Sequence, residues 1–220
     1  MLVLIRLPLF QNNHSKMQAP FQANRFWDDR YSEAEFVYGT QPNQFFAQAL
    51  RSLQPGHLLL PAEGEGRNAV YAASQGWHVD AFDFSEEGRQ KALRLAAQRG
   101  VSIGYELADL LTFDTQTRYD ALALIYVHLA PAPRRDMLVR FAGLLKPGGT
   151  LILEGFHPRQ IGNPSGGPNA PEFCYTVEEL RAVFAEGFSI QQLNNESITL
   201  AEGAYHHGPA HVTRLIALKL

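Results

Sequence analysis

The stretch Leu58 to Ser85, LLLPAEGEGRNAVYAASQGWHVDAFDFS, decides the fold. The apolar run Leu58-Leu59-Leu60 reads as a buried strand entering the turn Ala62-Glu63-Gly64-Glu65-Gly66. A helix pattern follows at Ala69, Val70, Ala72 and Ala73 and stops at Gly76. A second strand, Trp77 to Phe82, delivers Asp83. Strand, glycine turn, helix and strand form the nucleotide-binding half of a doubly wound sheet, whose ligand sits beyond the carboxyl ends of the strands. Asp83 falls 83 − 66 = 17 residues past the last turn glycine, about where a ribose-binding carboxylate belongs.

A dinucleotide site wants G-x-G-x-x-G, because a pyrophosphate must approach bare backbone at a helix N-terminus. Here the turn is A-E-G-E-G-R, with Glu63 and Glu65 among the glycines. Two carboxylates repel a pyrophosphate but not a cationic cofactor without phosphate. That favours S-adenosylmethionine over NAD. Gly64 and Gly66 are expected to let backbone approach its methionine part, as residues without Cβ permit.

Outward from this core, Asn24 to Ser52 reads as two helical pieces. The first carries Phe26, Trp27 and Tyr31, the second Phe45, Phe46, Ala49 and Leu50. Ser85 is an expected N-cap, with Glu86 and Glu87 favoured in the first turn of a helix to about Arg99. A short strand, Ser102 to Leu107, leads to Asp109. Tyr119 to Val127 (YDALALIYV) is a continuous apolar strand, as expected when both faces are covered. Arg134 to Leu145 reads as a helix ended by Lys146-Pro147-Gly148-Gly149, with a strand from Thr150 to Phe156. The long Gly/Pro/Asn-rich loop His157 to Pro171 reads as a functional lid. Thr176 with Glu179 makes a capping box, and the tail reads as an antiparallel hairpin joined by AEGAYHHGPA.

Composition bounds the rest. The chain has 220 residues, 45% hydrophobic and 19% charged, with net charge −3, which fits one domain with a substantial core. No basic surplus points to nucleic acid. A single cysteine, Cys174, excludes an intrachain disulfide framework and fits a cytoplasmic setting; it reads as a small buried residue. Nothing approaches the roughly 20 apolar residues of a membrane span. The organisation expected is a mobile extension over 1–23, with Met17 a candidate natural start, and a single domain over 24–220.

Taken together, the glycine turn, Asp83, Asp109, YDALALIY, LLKPGG and the closing hairpin resemble a class I S-adenosylmethionine-dependent methyltransferase. Trp27-Asp28-Asp29-Arg30-Tyr31, Tyr38-Gly39-Thr40, GEGRN at 64–68, Tyr126-Val127-His128-Leu129 and Glu154-Gly155-Phe156-His157-Pro158 are similar to the small branch of TehB-like (tellurite-resistance) and thiopurine methyltransferases. The resemblance implies a Rossmann-like, doubly wound, seven-stranded sheet, mostly parallel with an antiparallel C-terminal hairpin strand, and N-terminal helices over the cofactor site. It implies S-adenosylmethionine as cofactor, S-adenosylhomocysteine as product and no metal. Asp83 is then the ribose carboxylate and Asp109 the partner of the adenine amino group. Phe84 and Leu110 are candidates to flank the adenine, beside Ser85, while Trp27 and Tyr38 close over the cofactor. Where the superfamily has an acid at the end of its first strand and a glycine after it, this chain has Leu60 and Ala62, so the acid is expected to have moved to Glu63.

The acceptor is expected beside the cofactor, where the fourth strand ends at Tyr126-Val127-His128, the fifth at Phe156-His157-Pro158-Arg159 and the hairpin turns at Tyr205-His206-His207. Tyr126, His128, Arg159 and His206 are the candidate catalytic residues. His128 serves as general base, or with Arg159 raises a thiolate fraction. The expected partner is a small-molecule methyl acceptor, by the branch resemblance a soft nucleophile such as a thiol or chalcogen oxyanion, acted on by a monomer or homodimer. The alternatives are a nucleic-acid or protein methyltransferase, against which IYVHLAPAP lacks an N/D-P-P-aromatic motif, and a cofactor-binding protein without turnover.

Overall fold

A computed structural model describes residues 23–220, with side chains from Phe26 onward. The expectations placed on the N-terminal extension and on Met17 concern residues outside this range, apart from Ala23. Six α-helices and seven strands follow in chain order among the described residues, with two short 3-10 turns at Pro158–Gln160 and Pro171–Phe173. They are α1 (Ala23–Tyr31), α2 (Gln44–Arg51), β1 (His57–Pro61), α3 (Arg67–Ser74), β2 (His78–Asp83), α4 (Glu86–Gln98), β3 (Gly104–Leu107), β4 (Tyr119–Ile125), α5 (Pro131–Gly143), β5 (Leu145–Phe156), α6 (Val177–Val183), β6 (Phe188–Glu202) and β7 (His206–Lys219).

The sheet order is β3-β2-β1-β4-β5-β7-β6. β1 to β5 run parallel, and β7 is antiparallel to both neighbours. Order reverses between β1 and β4, which is the switch point where such sheets bind ligands. The apolar strands are buried on both faces because alternate side chains serve two cores. Leu58, Leu60, Ala121, Ala123 and Ile152 pack with α2 and α3 residues such as Phe46 and Ala72. Leu59, Leu122, Leu124, Leu151 and Leu153 pack with Met137, Leu138 and Phe141 of α5 and with Leu180 of α6.

Local signals act as written in the sequence. Ser85 Oγ accepts from the Gly88 amide to cap α4, Asn43 Oδ1 accepts from the Phe46 amide to cap α2, and Thr176 Oγ1 accepts from the Glu179 amide to cap α6. Three boundaries differ from expectation. The Lys146–Gly149 segment lies inside β5 instead of separating helix from strand. Tyr119 pairs with Leu145 and Ala121 with Thr150, so the four residues form an irregularity in the ladder. The hairpin strands extend through most of the expected connection and leave a turn of only Gly203, Ala204 and Tyr205. The loop from His157 onward is also no free lid. Gln160 donates to Ser165 Oγ and the Gly166 carbonyl and accepts from the His211 amide, while Ser165 donates to the Pro209 carbonyl. Both side chains are buried against β7.

Arg134 fixes the far end of that loop. From α5 it makes a bidentate pair with Glu179 of α6, at 2.8 Å for each bond, and donates to the Leu129 and Glu172 carbonyls. The guanidinium is buried, so removing it strands a carboxylate and two carbonyls. Arg134→Ala is expected to lower stability by about 3–5 kcal/mol, read as a shifted midpoint in urea denaturation.

Candidate functional site

The turn after β1 is held from three sides. Glu63 donates its amide to the Phe82 carbonyl at the end of β2. Asp83, buried in the next position of the edge, accepts from the Gly64 amide through Oδ2 (3.0 Å) and from the Ser85 amide through Oδ1 (2.9 Å). Burial pushes its pKa up, with the amide bonds opposing. A carboxylate offers about four lone-pair directions, so even with the Phe84 amide close by Asp83 keeps acceptor capacity for a further donor.

The glycines divide their work. At Gly64 φ is +58°, and a Cβ there would stand 2.5 Å from the Tyr31 hydroxyl of α1. At Gly66 φ is +82°, and a Cβ would stand 2.4 Å from Ala92 Cβ. Gly66 therefore serves the close approach of α4. Ala62 takes φ +51° where glycine is usual, a conformation that costs a side-chain-bearing residue energy and concentrates at functional sites.

Both turn carboxylates are committed within the protein. Glu63 Oε1 accepts from the Asn68 and Ala69 amides, each at 2.8 Å. It thus supplies the cap that Gly66, at the N-cap of α3, lacks. Burial pushes its pKa up to about 7 in spite of those amides, so near neutrality it carries only part of a charge. Glu65 is buried against Lys91 (2.8 Å) and accepts from the Tyr38 amide. The expected repulsion of a pyrophosphate by this pair is therefore weak, and Glu63 is turned to α3.

Above the turn, Asp28 of α1 accepts from Ser85 Oγ at 2.5 Å. Trp27 stacks on Tyr31 (5.4 Å between centroids) and approaches Tyr38 (6.4 Å). Trp27 and Tyr38 thus lie over the loop. Phe84 is half-buried, and Leu110 is buried in the α5-side core. Asp109, at the end of the β3 connection, is exposed and spends Oδ1 on the Leu111 amide (2.7 Å).

At the end of β4, Tyr126 has φ +56°. Its hydroxyl is buried without a hydrogen bond of good geometry, beside the Glu154 carboxylate. His206 meets the Tyr126 ring at 4.7 Å, Tyr38 at 4.5 Å and Phe156 at 5.4 Å. Its Nδ1 lies 3.4 Å from Glu202 Oε2. Burial lowers the His206 pKa, with Glu202 opposing. For Glu202, burial works against ionisation, but the His206 hydrogen bond and the Arg67 guanidinium outweigh it and hold the carboxyl at about 2.

The other two catalytic candidates are engaged differently, although His128 stacks on the same Phe156 ring (5.6 Å). His128 faces the Phe173 carbonyl through Nδ1 (2.9 Å) and accepts from the Phe156 amide through Nε2 (3.3 Å). Burial lowers its pKa to about 4. With both nitrogens engaged by backbone it acts as a pin between β5 and the loop, not as a base. Arg159 is exposed, and its amide donates to His157 Nδ1, so it does not join the cluster. Tyr205 is exposed, under Arg30 (4.0 Å to the ring) and bonded to Glu33. His207 and His211 stand four apart on an extended strand, about 13 Å of chain, too far to share an ion.

Sequence reasoning missed the polar network that supports this edge. Asn43 Nδ2 donates to Glu154 (2.6 Å) and Glu202 (3.1 Å), Arg67 donates to Glu202 (2.8 Å) and the Tyr38 carbonyl (3.3 Å), and Arg214 pairs with Glu154 (2.5 Å). One signal was available: Glu154, fully buried, interrupts the apolar run LILEGF.

Residues 61–149 match the family model for a methyltransferase domain. By sequence alone no curated protein matches. Among solved structures, the chain is similar to a protein reported for converting a disulfide bond into a thioacetal group during echinomycin biosynthesis (TM-score 0.74, 17% identity, covering 90% of this chain and 92% of that one). It is also similar to TehB from Haemophilus influenzae (TM-score 0.69, 15% identity, 90% and 67%). A third is magnesium protoporphyrin IX methyltransferase from Synechocystis with bound S-adenosylhomocysteine (TM-score 0.67, 17% identity, 90% and 95%). The methyltransferase-domain match over residues 61–149 and the strand order support a class I S-adenosylmethionine-dependent methyltransferase. The cofactor fits the residues present: a buried carboxylate with open lone pairs at the end of β2, a left-handed turn before it, and aromatic rings above.

Asp83→Asn removes the charge and one acceptor while keeping the size. It is expected to weaken S-adenosylmethionine binding on the order of 100-fold, or about 2–3 kcal/mol, measured by titration calorimetry. Unchanged affinity would place the ribose elsewhere.

Proposed function

We propose that this methyltransferase acts on a small soft nucleophile, a thiol by preference, in the cytoplasm, and that His206 receives the acceptor's proton. The observation that carries the reading is the meeting of His206 and Tyr126 at the carboxyl edge, beside the Glu202 carboxylate that orients the imidazole. Three chemical arguments support it.

First, Glu202 facing Nδ1 favours the tautomer with its proton on Nδ1, which leaves Nε2 as the basic nitrogen. This is the orienting logic of a histidine–carboxylate pair. Second, burial keeps the ring neutral near pH 7, the state a base requires. Third, the ring surfaces of Tyr38, Tyr126 and Phe156 around His206 form a wall suited to a polarizable group more than to a charged one. The echinomycin-pathway protein, described by its sulfur chemistry, points the same way, as does the branch resemblance.

When bound, S-adenosylmethionine supplies an electrophilic methyl group. The chain supplies orientation, exclusion of water by α1 and the hairpin turn, and a proton acceptor. Positioning is worth roughly 7–11 kcal/mol at most, and general base help about 10²–10⁴-fold.

His206→Gln is expected to cut turnover of a thiol acceptor by about 100-fold at neutral pH while leaving cofactor affinity within twofold. In the unaltered enzyme, activity should fall as pH drops through the depressed His206 pKa, below the ordinary histidine value, because protonation removes the base; the variant should lack that limb. Homocysteine release over a panel of thiols, amines and phenols reads both. Turnover confined to amines or phenols, or an unaltered rate in the variant, would refute the assignment.

A further inference from the structure

The opposite edge of the sheet holds a second constellation. His57 opens β1 and His78 opens β2, and the parallel register sets them side by side. Asp80 follows His78 by two residues, so the pleat returns it to the same face. The rings of His57 and His78 lie 4.4 Å apart, and His57 Nε2 lies 2.9 Å from Asp80 Oδ2. One ligand atom from each of the three residues falls within 4.8 Å of the others.

We propose that His57, His78 and Asp80 bind a divalent transition-metal ion, zinc by preference, at the amino edge of the sheet, away from the cofactor turn. Two imidazoles and one carboxylate are a borderline donor set that suits zinc and its neighbours and leaves a fourth position for water. Calcium and magnesium want oxygen donors and are disfavoured.

The surroundings are those of a ligand set more than of a chance pair. Tyr119 donates its hydroxyl to Asp80 Oδ2 at 3.0 Å, the outer hydrogen bond that orients ligating carboxylates. Its ring lies tilted against His57, 4.7 Å between centroids. The His57 amide is tied to Asp120 Oδ2 (2.8 Å), and Asp120 in turn to Lys146 (2.8 Å). Asp120 is therefore spent on fixing the start of β1. Opposite Asp80 in the register stands Gly104, where a Cβ would come within 2.9 Å of Asp80 Oδ1. The missing side chain gives the carboxylate its place. Asp80 and Tyr119 also line a cavity of about 540 Å³ that runs past Phe82 and Phe113, which leaves room beside the carboxylate for water on the ion.

An ordinary His57–Asp80 ion pair needs no third group. The exposed His78 is the residue that separates the two readings. A bound ion would cross-link β1 and β2 directly and β4 through Tyr119, and would stabilise the fold by mass action.

The test uses the full untagged chain, stripped with a chelator and titrated with zinc chloride by calorimetry, with cobalt(II) absorption as a second readout. Binding of one equivalent is expected, with a raised melting temperature. His78→Ala, on an exposed side chain that leaves the fold intact by circular dichroism, should weaken binding at least tenfold. Tyr119→Phe should weaken it on the order of tenfold. S-adenosylmethionine affinity should not change in either. Absence of a one-to-one event, or zinc affinity in His78→Ala equal to that of the unaltered chain, would overturn the proposal.

Discussion

The structure depends on the placement of one buried carboxylate. Asp83 joins the turn after β1 to the start of α4, through the amides of Gly64 and Ser85. The first of those segments borders the point, between β1 and β4, where strand order reverses. A carboxylate taken from water costs several kcal/mol unless hydrogen bonds replace its hydration. The Ser85, Gly64 and Phe84 amides do part of this, while burial still pushes its pKa up. Ser85 links this carboxylate to the cap of α4 and, through its hydroxyl, to Asp28 of α1 above it.

A second constraint closes the other side of the edge. The β6–β7 hairpin reaches back to the N-terminal segment through Glu202, which meets Arg67 and Asn43. Asn43 also caps α2 and binds Glu154 of β5. A single amide side chain thus links a helix start, a central strand and the hairpin turn. Buried networks of this kind are costly when partly satisfied and specific when complete. Here the charges are matched within 2.5–2.8 Å, and the Tyr126 hydroxyl is the buried side-chain atom among the described residues left without a bond. It stands where an acceptor would be expected.

What was legible in the sequence was local. The strand runs, the Ser85 and Thr176 caps and the acid at the end of β2 each act within a few residues, and each takes its expected place. The Lys146–Gly149 stretch misled because glycine and proline mark a break in either a helix or a ladder, and only strand pairing tells which. The site was legible by element but not by side chain. Four of the network's bonds join residues 60 to 159 positions apart, and no pattern in one sequence registers that. His128 and His206 looked equivalent as loop histidines at one edge. Backbone groups 45 and 28 residues away occupy the first, and a carboxylate four residues away orients the second.

The preference for a cationic cofactor survives with a different origin. Glu63 is partly protonated near neutrality, and Glu65 is offset by Lys91. Farther along the edge, Arg67 and Arg214 are offset by Glu202 and Glu154. Lys91, Arg67 and Arg214 are thus each already paired with a carboxylate. Asp83, by contrast, is held by amides alone, with Asp28 close enough to raise its pKa further. The excess charge at the mouth of the turn is negative and comes from residues that bond hydroxyls and amides, not cations. A sulfonium gains from that field at any approach, whereas a diphosphate has to overcome it.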